Sequence, residues 1–420
     1  MKVLAVHNYY KTRGGEDQLF EDECKLLESK GHQVKWYTKD SQDIPMQKLV
    51  QVAYQTVWNR QSNSEVRRVI RDFKPDVMHS VNTFPLFSPS IFYAAQKENV
   101  PVVATIQNYR YFCAQSMCFR DGKSCEDCLG KIPWRAVKNK CYKNSYAGSA
   151  VVAGMQILHR GMKSWQKKID VVCLASQFSK NKLVAAGLHE EKIIVKPNFA
   201  PTDPGIRNGK GNYAVFVGRL ASEKGLDTLV DAWMKFSENN DRISLKIVGD
   251  GPDSSVIEEG AKSSKSVEYL GRLPNQEVYD VVGNAACLIF PSTGYESLPK
   301  TLIESMAVGT PVIGSAIGSI PEIVKQGETG LLYKAGDDHE LAGQLEKFFQ
   351  ISDDDRQTMR KRCREEFLQR FTSEANYTQL MSIYDEAIRR FRSKSKWVES
   401  KQENSSDPNP NGVPLTESGS

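Results

Sequence analysis

Two carboxylates, Glu296 and Glu304, flank a predicted helix start in Tyr295-Glu296-Ser297-Leu298-Pro299-Lys300-Thr301-Leu302-Ile303-Glu304. Ser297 suits a helix cap and Pro299 a first turn, while Gly309 and Pro311 suit the stop. One acid then stands just before the helix and the other along it. Free amides at a helix N-terminus bind anions. The arrangement therefore suits a ligand with phosphate in its middle and hydroxyls at both ends, which describes a nucleotide-sugar. Taken alone, the same pattern also fits a surface helix with two solvated glutamates.

Other segments supply further parts of such a site. Val215-Phe216-Val217-Gly218-Arg219-Leu220 ends a strand in glycine and arginine, and Lys224-Gly225 follows. Arg219 with its fork and Lys224 as a point charge can reach one diphosphate. Ile247-Val248-Gly249-Asp250-Gly251-Pro252 is a second strand ending in glycines, where backbone can approach a ligand closely. Gly271-Arg272-Leu273-Pro274 is a third. In an open α/β sheet, ligands sit outside the carboxyl ends of strands, where all of these segments lie.

The elements that must position them alternate along the chain. Candidate strands in the first half are Val3–His7, Gln33–Tyr37, Val77–Ser80, Val102–Ile106, Val171–Ala175 and Ile193–Lys196, with amphipathic helices between them, as at Asp17–Lys30. A second set comprises Tyr213–Val217, Leu245–Val248, Val267–Tyr269, Leu288–Phe290, Val312–Ser315 and Gly330–Tyr333. Such alternation predicts α/β architecture with parallel sheets covered on both faces. A chain of 420 residues predicts two or more domains. The boundaries read as a first domain over 1–197, a Pro/Gly/Asn-rich linker over 198–211 and a second domain over 212–373. The polar stretch 393–420 reads as a disordered tail.

The order G-R-L-x-x-E-K-G, V-G-D-G-P, G-R-L-P, E-S-L-P-x-x-x-x-E-S-M-A-x-G-T-P-V resembles the retaining glycosyltransferases of family 4, with likeness reaching about residue 392. The resemblance implies the GT-B fold: two Rossmann-like doubly wound domains facing a central cleft, the first for the acceptor and the second for the donor. It also implies that a last helix, near 374–392, crosses back to the first domain. The expected reaction moves a sugar from a UDP- or GDP-sugar to a hydroxyl of a glycan or polyprenyl-linked acceptor in surface-polysaccharide synthesis.

Physics and resemblance together imply roles. Arg219 and Lys224 would neutralise the leaving diphosphate. Glu296 would accept from donor-sugar hydroxyls and Glu304 from the ribose, while the amides of Ser297, Leu298 and Lys300 face phosphate or sugar. Gly218, Gly249 and Asp250 would line the nucleotide cleft, with Arg272 and Leu273 beside the base. Gly14 and Gly15 follow the first strand and would turn amides toward the diphosphate, although a simple tight turn explains them equally. Asn82 and Thr83, after the third strand, form a candidate acceptor surface. Where the family has T-x-H, this chain has Thr105-Ile106-Gln107. Gln107 can donate and accept hydrogen bonds but cannot act as a base, so it would tune donor choice or rate. No cofactor is expected for catalysis, because cationic side chains and helix amides supply the charge.

Five of nine cysteines cluster between residues 113 and 141. Cys113, Cys125, Cys128 and Cys141 have a spacing acceptable for a structural four-thiolate zinc site. Buried free thiols or a disulfide are the alternatives.

Charge is uneven. Residues 1–200 carry 30 Lys+Arg against 18 Asp+Glu, and residues 201–420 carry 26 against 33. The basic excess surrounds Trp134 and Trp165, a combination that suits an anionic membrane surface. No nucleic-acid recognition motif accompanies it. No apolar run approaches the roughly 20 residues of a membrane span, so the expected location is the cytoplasm, peripheral at the inner face of the membrane. A non-catalytic nucleotide-sugar-binding subunit, motivated by Gln107, and a GT-B sugar-nucleotide epimerase are the rival readings.

Overall fold

Strands buried on both faces read as near-continuous apolar runs, and this sequence has two sets of them. In the computed structural model, which describes residues 1–44 and 46–404, each set forms one six-stranded parallel sheet. The first half contains β1 (Lys2–Tyr9), β2 (Gln33–Asp40), β3 (Val77–Asn82), β4 (Val102–Ile106), β5 (Phe119–Arg120), β6 (Lys123–Ser124), β7 (Val171–Leu174) and β8 (Ile193–Val195). Its sheet order is β2-β1-β3-β4-β7-β8, and β5 and β6 make a separate antiparallel hairpin. The second half contains β9 (Tyr213–Val217), β10 (Ser244–Val248), β11 (Val267–Gly271), β12 (Cys287–Phe290), β13 (Val312–Ser315) and β14 (Gly330–Tyr333), in the order β11-β10-β9-β12-β13-β14. Every expected strand is present. The β5–β6 hairpin was not anticipated, because two-residue strands carry no periodicity.

The order of the second sheet reverses between β9 and β12, the kind of crevice where doubly wound sheets bind ligands. Gly249, at the end of β10, has φ +146°, and a Cβ there would lie 1.8 Å from the Gly218 carbonyl oxygen. Only glycine lets these two strand ends meet so closely.

The segment expected as a linker is strapped to the second half. Amides of Arg207, Gly209 and Gly211 donate to carbonyls of Val308, Gly283 and Asn284. Arg360 is buried and donates to carbonyls of Ala285, Arg207 and Gly283. Burial pushes its guanidinium down to about 10.

The last helix spans Ser373–Asn404, so the stretch 393–404 expected as tail is helical, and the rest of that tail lies outside the described residues. Leu380, Ile383, Tyr384 and Ala387 on this helix pack against Val3, Val77, Val103 and Val171 of the first sheet. Tyr384 Oη lies 2.9 Å from His79 Nδ1, and His79 Nε2 lies 2.8 Å from Thr105 Oγ1. Burial holds His79 down to about 4, which keeps it neutral in this contact.

Candidate active site

The helix after Pro299 begins at Lys300 and ends at Ala307. Pro299 takes the capping position with extended backbone, and no side chain caps the helix. Ser297 does not cap as expected. Its hydroxyl instead donates across the cleft to the Gln107 carbonyl oxygen at 2.8 Å. Local grammar favours a serine cap, but here the opposite half offers a partly buried acceptor. The uncapped end of the helix therefore opens on the cavity between the halves.

That cavity, of about 290 Å³, is lined by Gly15, Gln107, Gly218, Arg219, Lys224, Glu296, Ser297, Leu298 and Lys300 among others. Sequence positions far apart thus converge on one site. Added Cβ atoms at Gly14 and Gly15 would meet nothing within 4 Å, so open space lies before this loop. Lys224 Nζ donates to Glu296 Oε1 at 2.5 Å, and Ser292 Oγ donates to the same oxygen at 2.6 Å. Lys300 Nζ reaches across to Asp22 at 2.8 Å. Glu304 is not among the residues lining the cavity, and burial raises its carboxyl above the usual range against the pull of Lys300.

Other predicted residues lie outside this cavity. Gly249 and Asp250 support its wall, where Asp250 accepts the Leu220 amide at 3.0 Å through its backbone carbonyl. Arg272 is exposed, and Leu273 packs into the second domain's core. Asn82 and Thr83 line a neighbouring cavity of about 70 Å³ in the first half, with Glu16, Asn108, Arg110, Phe84 and Trp165. Asn82 spends its side chain on backbone, donating to Asn8 and accepting from Phe84. Trp165, expected at a membrane surface, is 8% exposed and belongs to the core, whereas Trp134 is 57% exposed.

Glu16, Asn108 and Asn198 escaped the sequence reading. Glu16 lines both cavities. Burial raises its carboxyl, opposed by hydrogen bonds from Tyr10 at 2.7 Å and Asn108 at 3.1 Å. Its place directly after Gly14-Gly15 was the available signal. Asn198 exchanges both amide hydrogen bonds with Gln107, at 3.0 and 3.2 Å. Gln107 is therefore tied to the chain between the halves. No sequence signal marks such a pair.

Cys113, Cys125, Cys128 and Cys141 line one small cavity with Phe119 and Arg120. A hydrogen bond from Cys118 pulls the Cys113 thiol down to about 6. Among the described residues, no group of three or more His, Cys, Asp or Glu side chains is placed to hold a metal ion.

Paired parallel sheets with cations, amides and carboxylates meeting between them are the architecture the motifs implied. Residues 13–204 match the family model described as Glycosyltransferase Family 4, and residues 203–366 match Glycosyl transferases group 1. The chain belongs to glycosyltransferase family 4. A putative colanic acid biosynthesis glycosyltransferase, WcaL of Escherichia coli, is 30% identical over 255 residues, covering 55% of this chain and 61% of that protein. The Salmonella typhimurium WcaL match is 31% identical but spans 40% of this chain and 44% of the relative. The chain thus matches about half the length of these relatives. A GDP-mannose-dependent alpha-mannosyltransferase of Corynebacterium glutamicum is 25% identical over 335 residues, covering 77% of this chain and 70% of that protein.

Solved structures agree on the GT-B fold of this family 4 chain. Anabaena HepE in complex with UDP superposes with TM-score 0.64 at 16% identity, covering 92% of this chain and all of that one. A Thermosynechococcus elongatus sucrose-phosphate synthase gives TM-score 0.66 at 17% identity, covering 92% and 98%.

Proposed function

We propose that this chain is a retaining glycosyltransferase that moves a sugar from a nucleotide-diphosphate sugar to a hydroxyl of a glycan or lipid-linked acceptor in surface-polysaccharide synthesis. One observation carries the reading: Arg219, Lys224, Glu296 and the uncapped Lys300–Ala307 helix meet at one cavity between the halves. The donor diphosphate sits against both cations and the helix amides, which supply positive charge where negative charge grows during departure. No carboxylate-bound metal is needed for that neutralisation. Glu296 faces the sugar, and Glu304 the ribose. In the reacting complex the acceptor oxygen bonds to the anomeric carbon as the bond from that carbon to the phosphate oxygen breaks. The departing phosphate takes the acceptor proton on the same face, so configuration is kept. HepE, of like fold, is described in complex with UDP-glucose, which makes UDP-sugars a first choice of donor. GDP-mannose is the second, from the corynebacterial relative.

The neighbouring cavity takes the acceptor sugar. Phe84 and Trp165 offer apolar faces, and Glu16, Asn108 and Arg110 offer polar partners. Its wall includes Thr56 and Met155, from the mutually packed helices Leu49–Val57 and Tyr146–Gly161. Those helices also expose Val50, Tyr54, Ile157 and Leu158. Among the described residues no helix is long and apolar enough to cross a membrane. The exposed apolar side chains, with Lys48 and Arg160 nearby in sequence, fit shallow contact with an anionic bilayer that presents a lipid-linked acceptor.

Melting temperature against UDP, GDP, UDP-glucose and GDP-mannose tests the donor half, since a ligand of the folded state raises it. One nucleotide should stabilise the wild type but not Lys224→Ala. A second reading, a binding subunit without turnover, draws on the Gln107–Asn198 pairing, which leaves that side chain less free for a sugar. Any transfer product removes it. Stabilisation by none of the four ligands refutes the donor site.

A further inference from the structure

The cysteine-rich segment of the first half reaches across the cleft to the loop that carries Glu296. Ser124 Oγ, on β6, donates to the Thr293 carbonyl at 3.2 Å. At Gly294 an added Cβ would lie 3.5 Å from Phe119 on β5. Tyr295 Oη donates to Glu126 Oε1 at 2.6 Å. Glu126 lies between Cys125 and Cys128, and the same oxygen accepts from Lys182. The Tyr295 ring meets Phe178 edge-on, with centroids 4.8 Å apart. Thus Thr293, Gly294 and Tyr295 are all held by the first half, and the next residue is Glu296. From its own half, the Glu296 carbonyl accepts the Ser319 amide at 3.2 Å.

We propose that Glu126 and Tyr295 form a cross-cleft latch that positions Glu296, so that the carboxylate takes its working place only while the two halves are closed on each other. The inference rests on the glycosyltransferase reading. Neither residue lines the donor cavity, so both act through the backbone of the loop. Burial pushes the Glu126 carboxyl up, but hydrogen bonds from Lys182 and Tyr295 outweigh it and keep it ionised. A charged acceptor makes the tyrosine hydrogen bond one of the stronger kind. The segment that presents Glu126 is braced by Asp127, which pairs with both Arg120 and Arg135.

Tyr295→Phe keeps the ring and deletes the hydrogen bond. Glu126→Ala deletes the acceptor, and Glu126→Gln keeps an acceptor oxygen. Hydrogen exchange on the free protein reads the loop directly through the Thr293 and Gly294 amides, which donate to the Glu223 carbonyl. Both deleting variants should exchange at these amides about tenfold faster or more, consistent with losing a hydrogen bond to a charged group. Glu126→Gln, which keeps an acceptor oxygen without the charge, should fall between wild type and the deleting variants. Nucleotide release from UDP-glucose and GDP-mannose should fall several-fold in kcat for the deleting variants, with UDP and GDP affinity within twofold and with partial recovery in Glu126→Gln. Unchanged exchange in Tyr295→Phe and Glu126→Ala overturns the latch whatever the turnover. Faster exchange with unchanged kcat overturns its positioning role. A wild type that releases nucleotide from no sugar donor refutes the transferase reading itself, and with it any part for the latch in catalysis.

Discussion

Replacing Glu296 with glutamine should separate donor binding from transfer. In the free cleft Glu296 accepts from Lys224 at 2.5 Å and from Ser292 at 2.6 Å. An arriving diphosphate must share Lys224 with this carboxylate. Two unit charges at 4 Å interact by about 4 kcal/mol at an effective dielectric of ~20. The Lys224 and Glu296 side chains are 21% and 17% exposed, so solvent discounts that figure. Exposed pairs are worth about 1 kcal/mol or less, and this half-buried pair falls at about 1–2 kcal/mol by interpolation between the two limits. Glutamine keeps the shape and frees the lysine, so nucleotide diphosphate should bind about 5- to 30-fold more tightly, at 1.4 kcal/mol per tenfold. Transfer should nevertheless fall about 100-fold or more, because an interaction aimed at the transition state is lost. Titration calorimetry with UDP and GDP measures the first effect, at two salt concentrations so that screening is seen. Nucleotide release from the matching sugar donor measures the second. Tenfold weaker nucleotide binding by Glu296→Gln would falsify the shared-lysine argument, and unchanged turnover would remove Glu296 from the site.

Other perturbations test neighbouring parts. Glu304 has its carboxyl raised by burial, so the folded state holds a proton that the unfolded chain has released. Its contribution is present below the ordinary carboxylate value and is lost as pH rises through the raised one. Glu304→Gln should therefore gain melting temperature over wild type at pH 8 but not at pH 4, and equal gains at both would contradict this. Arg360→Lys should cost about 2–4 kcal/mol, because lysine cannot fork to several carbonyls and leaves some of them unpaired. Urea unfolding measures it, and a midpoint within error of wild type would show the strap to be dispensable. Val50→Glu with Leu158→Glu should abolish co-sedimentation with vesicles containing anionic lipid while leaving UDP or GDP affinity untouched. Undiminished sedimentation would move the membrane contact elsewhere.

Much of this architecture was legible in the sequence. Apolar runs marked most strands of both sheets, and glycine closed three of them at Gly218, Gly249 and Gly271, since a buried parallel strand has few other ways to be written. The motif ends at Gly218-Arg219 and Pro299-Lys300 converge because sheet topology brings strand ends together. Cross-cleft contacts were not legible. Ser297 carries a cap signature, yet the better acceptor sits nearly two hundred residues away at Gln107. Gln107 stood out in the sequence, but nothing marked Asn198 as its partner until folding set them face to face. Trp165 stood among lysines in sequence, but a helical turn placed it inward while Trp134 stayed outside.

The helix Ser373–Asn404 has a consequence for how the chain is made. Leu380, Ile383, Tyr384 and Ala387 cover strands that begin at residue 2, so the first sheet borrows part of its core from a helix translated after the whole second half. While the second half is being synthesised, Val3, Val77, Val103 and Val171 lack their lid. Domains commonly mature in order of synthesis, but here the earlier one finishes after the later one. This helix must leave the ribosome before the first sheet is fully covered, and a nascent chain stalled after Phe371 would present an apolar sheet face to chaperones.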